Sequence, residues 1–153
     1  KDGTIYLSIL RSPCIPVFLY GFDGAKDSGE HDFEYVLYSN KGGLKQGKIV
    51  QKAMEFNTGF YSIGCLPGKG VLPCRHSFLA NECDNVVISA IKRSEKSDGK
   101  IIRAYEAYGE SVWDRLKGVD GARMSETDLL EENGRTASGM EFKGFDIKTF
   151  KLE

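Results

Sequence analysis

The sequence lacks the features that mark nucleic-acid-binding and membrane-spanning proteins. Its 21 basic and 22 acidic residues give a formal net charge of −1, so no basic excess is available for nucleic acid or acidic lipid. No apolar run approaches the roughly 20 residues that span a bilayer. No signal peptide is visible, and the chain starts at Lys1, almost directly in a strand pattern. We therefore expect a fragment of a longer polypeptide.

Cysteine is scarce and widely spaced. None of Cys14, Cys65, Cys74 and Cys83 forms a Cys-x-x-Cys pair, whereas zinc ligands normally arrive in such close pairs. A metal site built from Cys65, Cys74, His76 and Cys83 is one interpretation. Scattered reduced thiols in a cytosolic protein are the interpretation that we favour, and we predict no metal ligands in this chain.

A β-hairpin within Val86–Gly109 is the clearest structural signal. Two runs rich in β-branched residues, Val86–Ile91 and Ile101–Tyr105, flank the polar stretch Ser94–Gly99. Ser-Asp-Gly within this stretch favours a turn, because Asp bonds nearby backbone and Gly accepts positive φ. Alternation would place Val86, Ile88 and Ala90 on one face of the first strand. The remaining strands are expected to gather around this hairpin.

The first half of the chain has weaker signals. Thr4–Leu10 and Asp32–Tyr38 alternate as strands do, and Leu44–Asn57 has a rough helical stripe that predicts a crossover helix lying on a sheet. Gly59 suits the position just past that helix. The apolar run Val17–Phe22 could be a short strand, a buried plug or a surface that meets another domain or subunit.

In the second half, Met124–Glu131 and Met140–Leu152 are predicted strands. The hydrophobic phase of the second strand slips near Gly144, which a β-bulge would explain. Trp113 could stack on a sugar, although we favour an anchor in the core or at a sheet edge. Many short strands with frequent turns and one helix predict a mainly β protein of β-sandwich architecture.

Several sequence blocks, taken in order, resemble α-mannosidases of glycoside hydrolase family 38. The similarity extends through nearly the whole chain and is strongest to the cytosolic and bacterial branch of the family. The blocks are ILRSP (Ile9–Pro13), DSGEHDFEYVLY (Asp27–Tyr38), QKAMEFN (Gln51–Asn57), the hairpin sequence, ETDLLEEN (Glu126–Asn133) and EFKGFDIKTFKL (Glu141–Leu152).

The resemblance implies a chain that is non-catalytic within a larger enzyme. Family members carry their two catalytic carboxylates in an N-terminal domain, where zinc held by His and Asp also binds the sugar. That domain, with its zinc, is missing from this sequence. Residues 1–84 would be the end of a large β super-sandwich, and residues 85–153 a small terminal β-sandwich. The expected partners are the preceding catalytic and helical domains and the mannosyl substrate of the parent enzyme, in the cytoplasm.

Three residues are candidates for the rim of the parent's active site: Arg11, Asp27 and His31. Acidic residues crowd the loop from Asp23 to Asp32, but such clusters usually face solvent, and we predict no catalytic pair within this chain. The overall prediction is the C-terminal β-region of a zinc-dependent retaining α-mannosidase that acts on terminal α-mannose. The alternative is a free-standing β-sandwich that binds carbohydrate or protein.

Overall fold

Residues 3–11, 27–66 and 68–153 are described by a computed structural model of the chain. The chain divides into two units, Lys1–Ser39 and Asn40–Glu153. In the first unit, residues 4–11 and 30–39 adopt no regular secondary structure, and their side chains are exposed. The predicted strands Thr4–Leu10 and Asp32–Tyr38 are therefore wrong. Alternation specifies a strand only where a neighbouring strand takes up the backbone hydrogen bonds, and neither segment has such a neighbour in the described part of the chain. Val17–Phe22 lies outside the described residues.

The second unit begins with the one helix of the described chain, α1, Ile49–Thr58. It starts later than predicted because residues 43–48 form tight turns, with Lys48 in the left-handed region at φ 50°. Gly59 follows its end with positive φ, as predicted. The structure describes every residue of α1 and buries none of them, so the helix does not pack into the core as a crossover helix would. No helix in the described residues combines the length and apolarity required to cross a membrane.

Within the described residues nine strands follow, and all of their pairings are antiparallel, so the prediction of a mainly β fold is confirmed. The main sheet has the order β2-β3-β9-β6-β7, and two small sheets pair β1 with β5 and β4 with β8. The strands are β1 Ala80–Asn81, β2 Val86–Arg93, β3 Lys100–Glu106, β4 Val112–Asp114, β5 Leu116–Lys117, β6 Met124–Thr127, β7 Arg135–Thr136, β8 Met140–Phe142 and β9 Ile147–Leu152.

The predicted hairpin is confirmed as β2 and β3, joined by residues 94–99. A register shift between Ile88 and Ala90 places a β-bulge at Ser89. A bulge breaks the two-residue alternation, so the simple assignment of faces fails beyond this point. Ile88 still packs against the core, but Ala90 is exposed and Ile91 is 57% exposed.

The core lies between the main sheet and the small sheets. Phe142 of β8 and Phe150 of β9 meet edge to face, with ring centroids 6.0 Å apart. Ile102 and Ala104 of β3 and Met140 of β8 join them without exposed surface. One apolar face of the long hairpin is thereby removed from water, which is the main stabilisation of this small unit.

The predicted strand Met140–Leu152 is two strands, and the predicted bulge at Gly144 is a turn. β8 pairs with β4, whereas β9 lies between β3 and β6 in the main sheet. Residues 143–146 carry the chain across, with the Asp146 amide donating to the Lys143 carbonyl and the Lys143 amide donating to the Asp146 carboxylate. The phase slip read from the sequence is therefore a change of sheet.

The predicted strand Met124–Glu131 ends early, at Thr127. The Asp128 carboxylate accepts hydrogen bonds from the Leu130 and Glu132 amides, at 3.0 and 2.8 Å. Glu131 also has a φ of 65°, which ends extended backbone. An Asp that bonds the amides following it favours a turn over a continued strand.

Candidate functional site

The three predicted rim residues all lie in the first unit. His31 and Asp27 come together, with 3.4 Å between His31 Nε2 and Asp27 Oδ1, and the His31 ring stacks on Phe33. Arg11 is exposed at the end of the described stretch 3–11. Asp23 of the acidic loop is outside the described residues. A role for Arg11, Asp27 and His31 at an active-site rim stays a prediction.

The most highly connected carboxylate of the second unit is Glu106, at the end of β3. It is 1% exposed, and its oxygens accept backbone hydrogen bonds from Tyr108, Gly109, Glu110 and Phe145 at 2.7–3.2 Å. A further hydrogen bond of 3.1 Å comes from the Asn85 side-chain amide. We call Glu106 and these donors the Glu106 hub. It fastens the chain after β3 to the turn before β9.

The local sequence explains why the chain can close around this carboxylate. Gly109 has a φ of 80° and lies so close to the Phe145 ring that an added Cβ would come within 2.8 Å of it. Gly144 is similarly close to the Gly109 carbonyl oxygen. Phe145 itself has a φ of 63°, which is unfavourable for a bulky residue. Its amide bond to Glu106 helps hold that conformation.

A second carboxylate, Glu110, extends the hub to the segment before α1. It accepts hydrogen bonds from Asn85 Nδ2 at 2.9 Å and from Lys45 Nζ at 2.6 Å. Asn85 thus bridges Glu106 and Glu110. The Lys45 ammonium, followed by Asn85, lowers the pKa of Glu110, and the Glu110 carboxylate raises the pKa of Lys45.

The same end of the sheet makes polar contacts with α1 itself. Gln51 donates to the Asp84 carbonyl oxygen at 2.5 Å and accepts from the Tyr108 hydroxyl at 2.8 Å. Lys48 pairs with the Asp84 carboxylate at 2.7 Å. These contacts attach an otherwise exposed helix to the β-sandwich through side-chain hydrogen bonds.

The electrostatics of the hub suit structure better than catalysis. Burial acts to raise the pKa of Glu106, but the Phe145, Tyr108 and Gly109 amides outweigh it, and the pKa is lowered. The pKa of Glu110 is lowered as well. General acid catalysis by a carboxyl group needs a raised pKa, so that the proton is present near neutral pH. Both carboxylates therefore act as hydrogen-bond acceptors of lowered pKa, which is the opposite of what the acid of a glycosidase pair requires.

Asp114 of β4 plays a comparable part on the other side of the core. It is buried, and its carboxylate accepts from the backbone amides of Glu82, Cys83 and Arg115 at 2.8–2.9 Å and from Asn81 Nδ2 at 3.2 Å. It therefore fastens residues 81–83, which precede β2, to the small sheet of β4 and β8.

Potential metal ligands are dispersed in the described residues. Cys65 and Cys74 are exposed, while Cys83 is half-buried and packs against the core. His76 meets Phe78 edge to face, with ring centroids 4.8 Å apart. The residues that the structure describes contain no group of three or more His, Cys, Asp or Glu side chains that could hold a metal ion.

Trp113 lies on β4, opposite Glu141 of β8, and is 52% exposed. Its indole covers Gly139, where an added Cβ would overlap the ring, and Arg115 lies 5.6 Å from the ring centroid. An aromatic side chain that covers a glycine next to the neighbouring strand can stabilise the pairing of a short sheet. This arrangement fits the edge anchor that we favoured over the sugar platform.

Glu106, Asp114 and Asn85 were not recognised from sequence as organising residues. One signal was available, because Glu106 continues the alternation of Ile102 and Ala104 and so belongs to the buried face of β3. A charged residue in such a position must be hydrogen-bonded within the fold. Nothing comparable marks Asp114, because three of its four donors come from a segment more than thirty positions earlier in the chain.

Comparison with known proteins adds two findings. Residues 85–150 match the family model described as the "Glycosyl hydrolases family 38 C-terminal beta sandwich domain". Alpha-mannosidase G of Dictyostelium discoideum is 26% identical over 162 aligned positions, which cover 98% of this chain. The chain spans 14% of the length of that relative.

The family match covers β2, β3, the Glu106 hub and most of β9, so the hub is part of the matched domain. The predicted division at residues 84 and 85 stays a prediction. The sequence resemblance, the antiparallel β architecture and the match agree with one another: residues 85–150 are similar to the C-terminal β-sandwich domain of glycosyl hydrolase family 38.

Proposed function

We propose that the chain is a non-catalytic C-terminal region of a zinc-dependent, retaining α-mannosidase that hydrolyses terminal α-D-mannose residues. The name of its Dictyostelium relative and the family match support glycosidase parentage. The catalytic carboxylates and the zinc would belong to the preceding part of the parent polypeptide. The role of this chain would be to supply a folded surface against which that part packs.

The hydrogen bonding of the buried carboxylates is the observation that supports the non-catalytic role. Glu106 and Asp114 each accept at least four hydrogen bonds, chiefly from backbone amides. A carboxylate whose oxygens accept this many hydrogen bonds is held in place. It cannot protonate a leaving group or attack a sugar carbon without breaking the fold around it.

Exposed apolar side chains support a packing role for the chain. Between α1 and β1, Phe60, Tyr61, Leu66 and Val71 are each more than 90% exposed. Within the first unit, the segments 5–10 and 33–38 also present large apolar side chains to solvent. Large apolar side chains exposed in such numbers indicate a surface that a partner covers. The preceding domains of the parent enzyme are the partners that we propose for it.

We further propose the cytoplasm as the compartment. Cys65, Cys74 and Cys83 are free thiols, and the first two are exposed. Exposed thiols persist in a reducing compartment and are readily oxidised outside it.

The decisive test compares the isolated chain with the product of the complete gene that encodes it. The isolated chain should release no nitrophenol from 4-nitrophenyl α-D-mannoside and should retain no zinc after gel filtration. The complete product should do both. Turnover with one bound zinc per isolated chain would overturn the non-catalytic role. An inactive, zinc-free complete product would overturn the mannosidase assignment.

A free-standing binding module is the second candidate, and the half-exposed Trp113 is the observation that favours it. In that case mannose or a mannobiose should quench the fluorescence of this single tryptophan in a saturable manner. Trp113→Ala should abolish the binding. No quenching up to high millimolar sugar would reject the module.

A further inference from the structure

A different region of the chain, the outer face of the main sheet, carries two polar atoms without partners. Arg103 of β3 and Thr149 of β9 are direct cross-strand neighbours, and Thr149 is 1% exposed. Arg103 Nε and Thr149 Oγ1 are both buried and have no hydrogen-bond partner in the described chain. Buried polar groups are nearly always hydrogen-bonded, so two adjacent exceptions indicate a site.

The loop of residues 128–133 contacts the Arg103 side chain. The Arg103 guanidinium donates through Nη2 to the Leu129 carbonyl oxygen at 2.8 Å. Further along, the Glu131 carboxylate accepts from Lys92 Nζ at 2.6 Å and from Ser94 Oγ at 2.9 Å. The loop is thus fixed at Glu131, while Leu129 and Leu130 remain 60% and 71% exposed. The Asp128 carboxylate and the Lys96–Glu132 ion pair hold the backbone of the loop as well, so the exposed Leu129 and Leu130 side chains are the part that can move.

An open cleft of about 420 Å³ adjoins the loop and has Thr149 in its lining. Its apolar part is formed by Leu129, Leu130 and Ile147. This size and this combination of apolar walls with a few polar groups are typical of small-molecule sites. We call it the outer cleft.

The charges around the outer cleft select the ligand. The Arg103 guanidinium forms no ion pair with a carboxylate in the described chain. It donates a hydrogen bond to the neutral carbonyl group of Leu129. Its Nε–H and the Thr149 hydroxyl can both donate to an anionic oxygen. Glu126, Asp128 and Lys148 also line the cleft, and Lys148 pairs with Glu126 at 3.1 Å, so the Asp128 carboxylate remains to disfavour a doubly charged phosphate. A singly charged carboxylate fits this balance.

We propose that the outer cleft binds a carboxylate carried on a short apolar body, and that the Leu129 and Leu130 side chains act as its lid. The carboxylate accepts from Arg103 Nε and Thr149 Oγ1, and the apolar body lies between Ile147 and the two lid leucines. Because both polar atoms are closed off from solvent, the lid moves when the ligand enters. This inference is independent of the mannosidase proposal, since it uses none of the hub residues.

Hexanoate is a suitable probe, with hexanamide and hexyl phosphate as comparisons. Titration of the isotope-labelled 153-residue chain should give saturable amide shifts at Thr149, Ile147 and Leu129 with hexanoate. The two comparison compounds should bind about tenfold more weakly or not at all, because each loses the charged hydrogen bonds or adds repulsion. Equal binding of hexanamide, or no saturable shift with hexanoate, would overturn the proposal.

Variants make the test specific. Thr149→Val keeps the shape of the side chain and should weaken hexanoate binding about tenfold, as should Arg103→Gln. The exposed residues Thr136 and Arg135 provide matched controls, and Thr136→Val and Arg135→Gln should bind as the parent does. Thr149→Val should also keep or raise Tm, because it removes an unpaired hydroxyl. A lowered Tm would show that this hydroxyl already has a partner and would refute the site.

Discussion

Replacing Glu106 with glutamine removes the charge at the centre of the hub and preserves the shape of the side chain. If the remaining oxygen takes the position that faces Gly109 and Phe145, the new amide nitrogen faces two donors, the Tyr108 amide and Asn85 Nδ2. Two hydrogen bonds to a buried, charged acceptor are then lost. At about 1.5–3 kcal/mol each, the free energy of unfolding should fall by about 3–6 kcal/mol.

That loss is a large part of the roughly 5–15 kcal/mol by which small domains are stable. Urea denaturation followed by circular dichroism measures it, with Glu141→Gln as the matched control. Glu141 is an exposed strand residue, so its replacement should change the free energy of unfolding by less than about 0.5 kcal/mol. Hydrogen exchange should also accelerate at Tyr108, Gly109 and Phe145 in the Glu106 variant. If both variants unfold at the same urea concentration, Glu106 does not organise the fold.

The pH dependence of the free energy of unfolding provides a second test with the same variant. Folding lowers the pKa of Glu106 below its ordinary value of 4.5, so the unfolded chain binds the proton more readily than the folded chain. The contribution of Glu106 is therefore complete above that ordinary value and is lost as pH falls through the folded pKa. The parent should lose stability over this acidic range more steeply than Glu106→Gln. Parallel stability curves for the two proteins would refute the assignment.

Three further perturbations test other parts of the structure. Ile102→Ala should lower the free energy of unfolding by about 2–5 kcal/mol in thermal melts. Ile91→Ala, at a largely exposed position, should lower it by less than about 0.5 kcal/mol. Equal losses in the two variants would contradict the bulged register. The Lys92 ammonium lowers the pKa of Glu131 to about 2, so the ion pair between them should persist in acid. Glu131→Gln should therefore have a lower Tm than the parent even at pH 3. Equal Tm values at pH 3 would contradict the pairing. Gly118→Ala should be poorly folded by circular dichroism, because Gly118 has a φ of 83° and an added methyl group would overlap a main-chain carbonyl oxygen; a variant with the parent's Tm would show that this segment has room to shift.

The hairpin was predictable from sequence because its signals are local. The β-branched runs and the Ser-Asp-Gly turn need only one another to define β2 and β3. The change of sheet near Gly144 left only a phase slip in the sequence, and a bulge would leave the same trace. The difference depends on which strand β9 pairs with, and that is decided by residues far away along the chain.

The two strands wrongly predicted in the first unit show the opposite limit. Thr4–Leu10 and Asp32–Tyr38 have the composition of strands, yet pattern alone cannot supply a neighbouring strand. The hub was missed for a related reason. A buried glutamate and a solvated one look alike in sequence, and only the approach of the backbone amides at residues 108–110 and 145 distinguishes them.

The position of β9 has a consequence for how the protein assembles. This strand is the last in the chain, yet it is hydrogen-bonded on both sides and pairs Leu152 with Lys100 and with Met124. The hairpin can form early, but the sheet is joined only when β9 arrives, and closing such a long loop carries an entropic cost that slows folding. Until then β3 and β6 each have an unpaired edge that another chain could occupy. During synthesis, the interval before β9 inserts is the period in which this protein is most prone to aggregate.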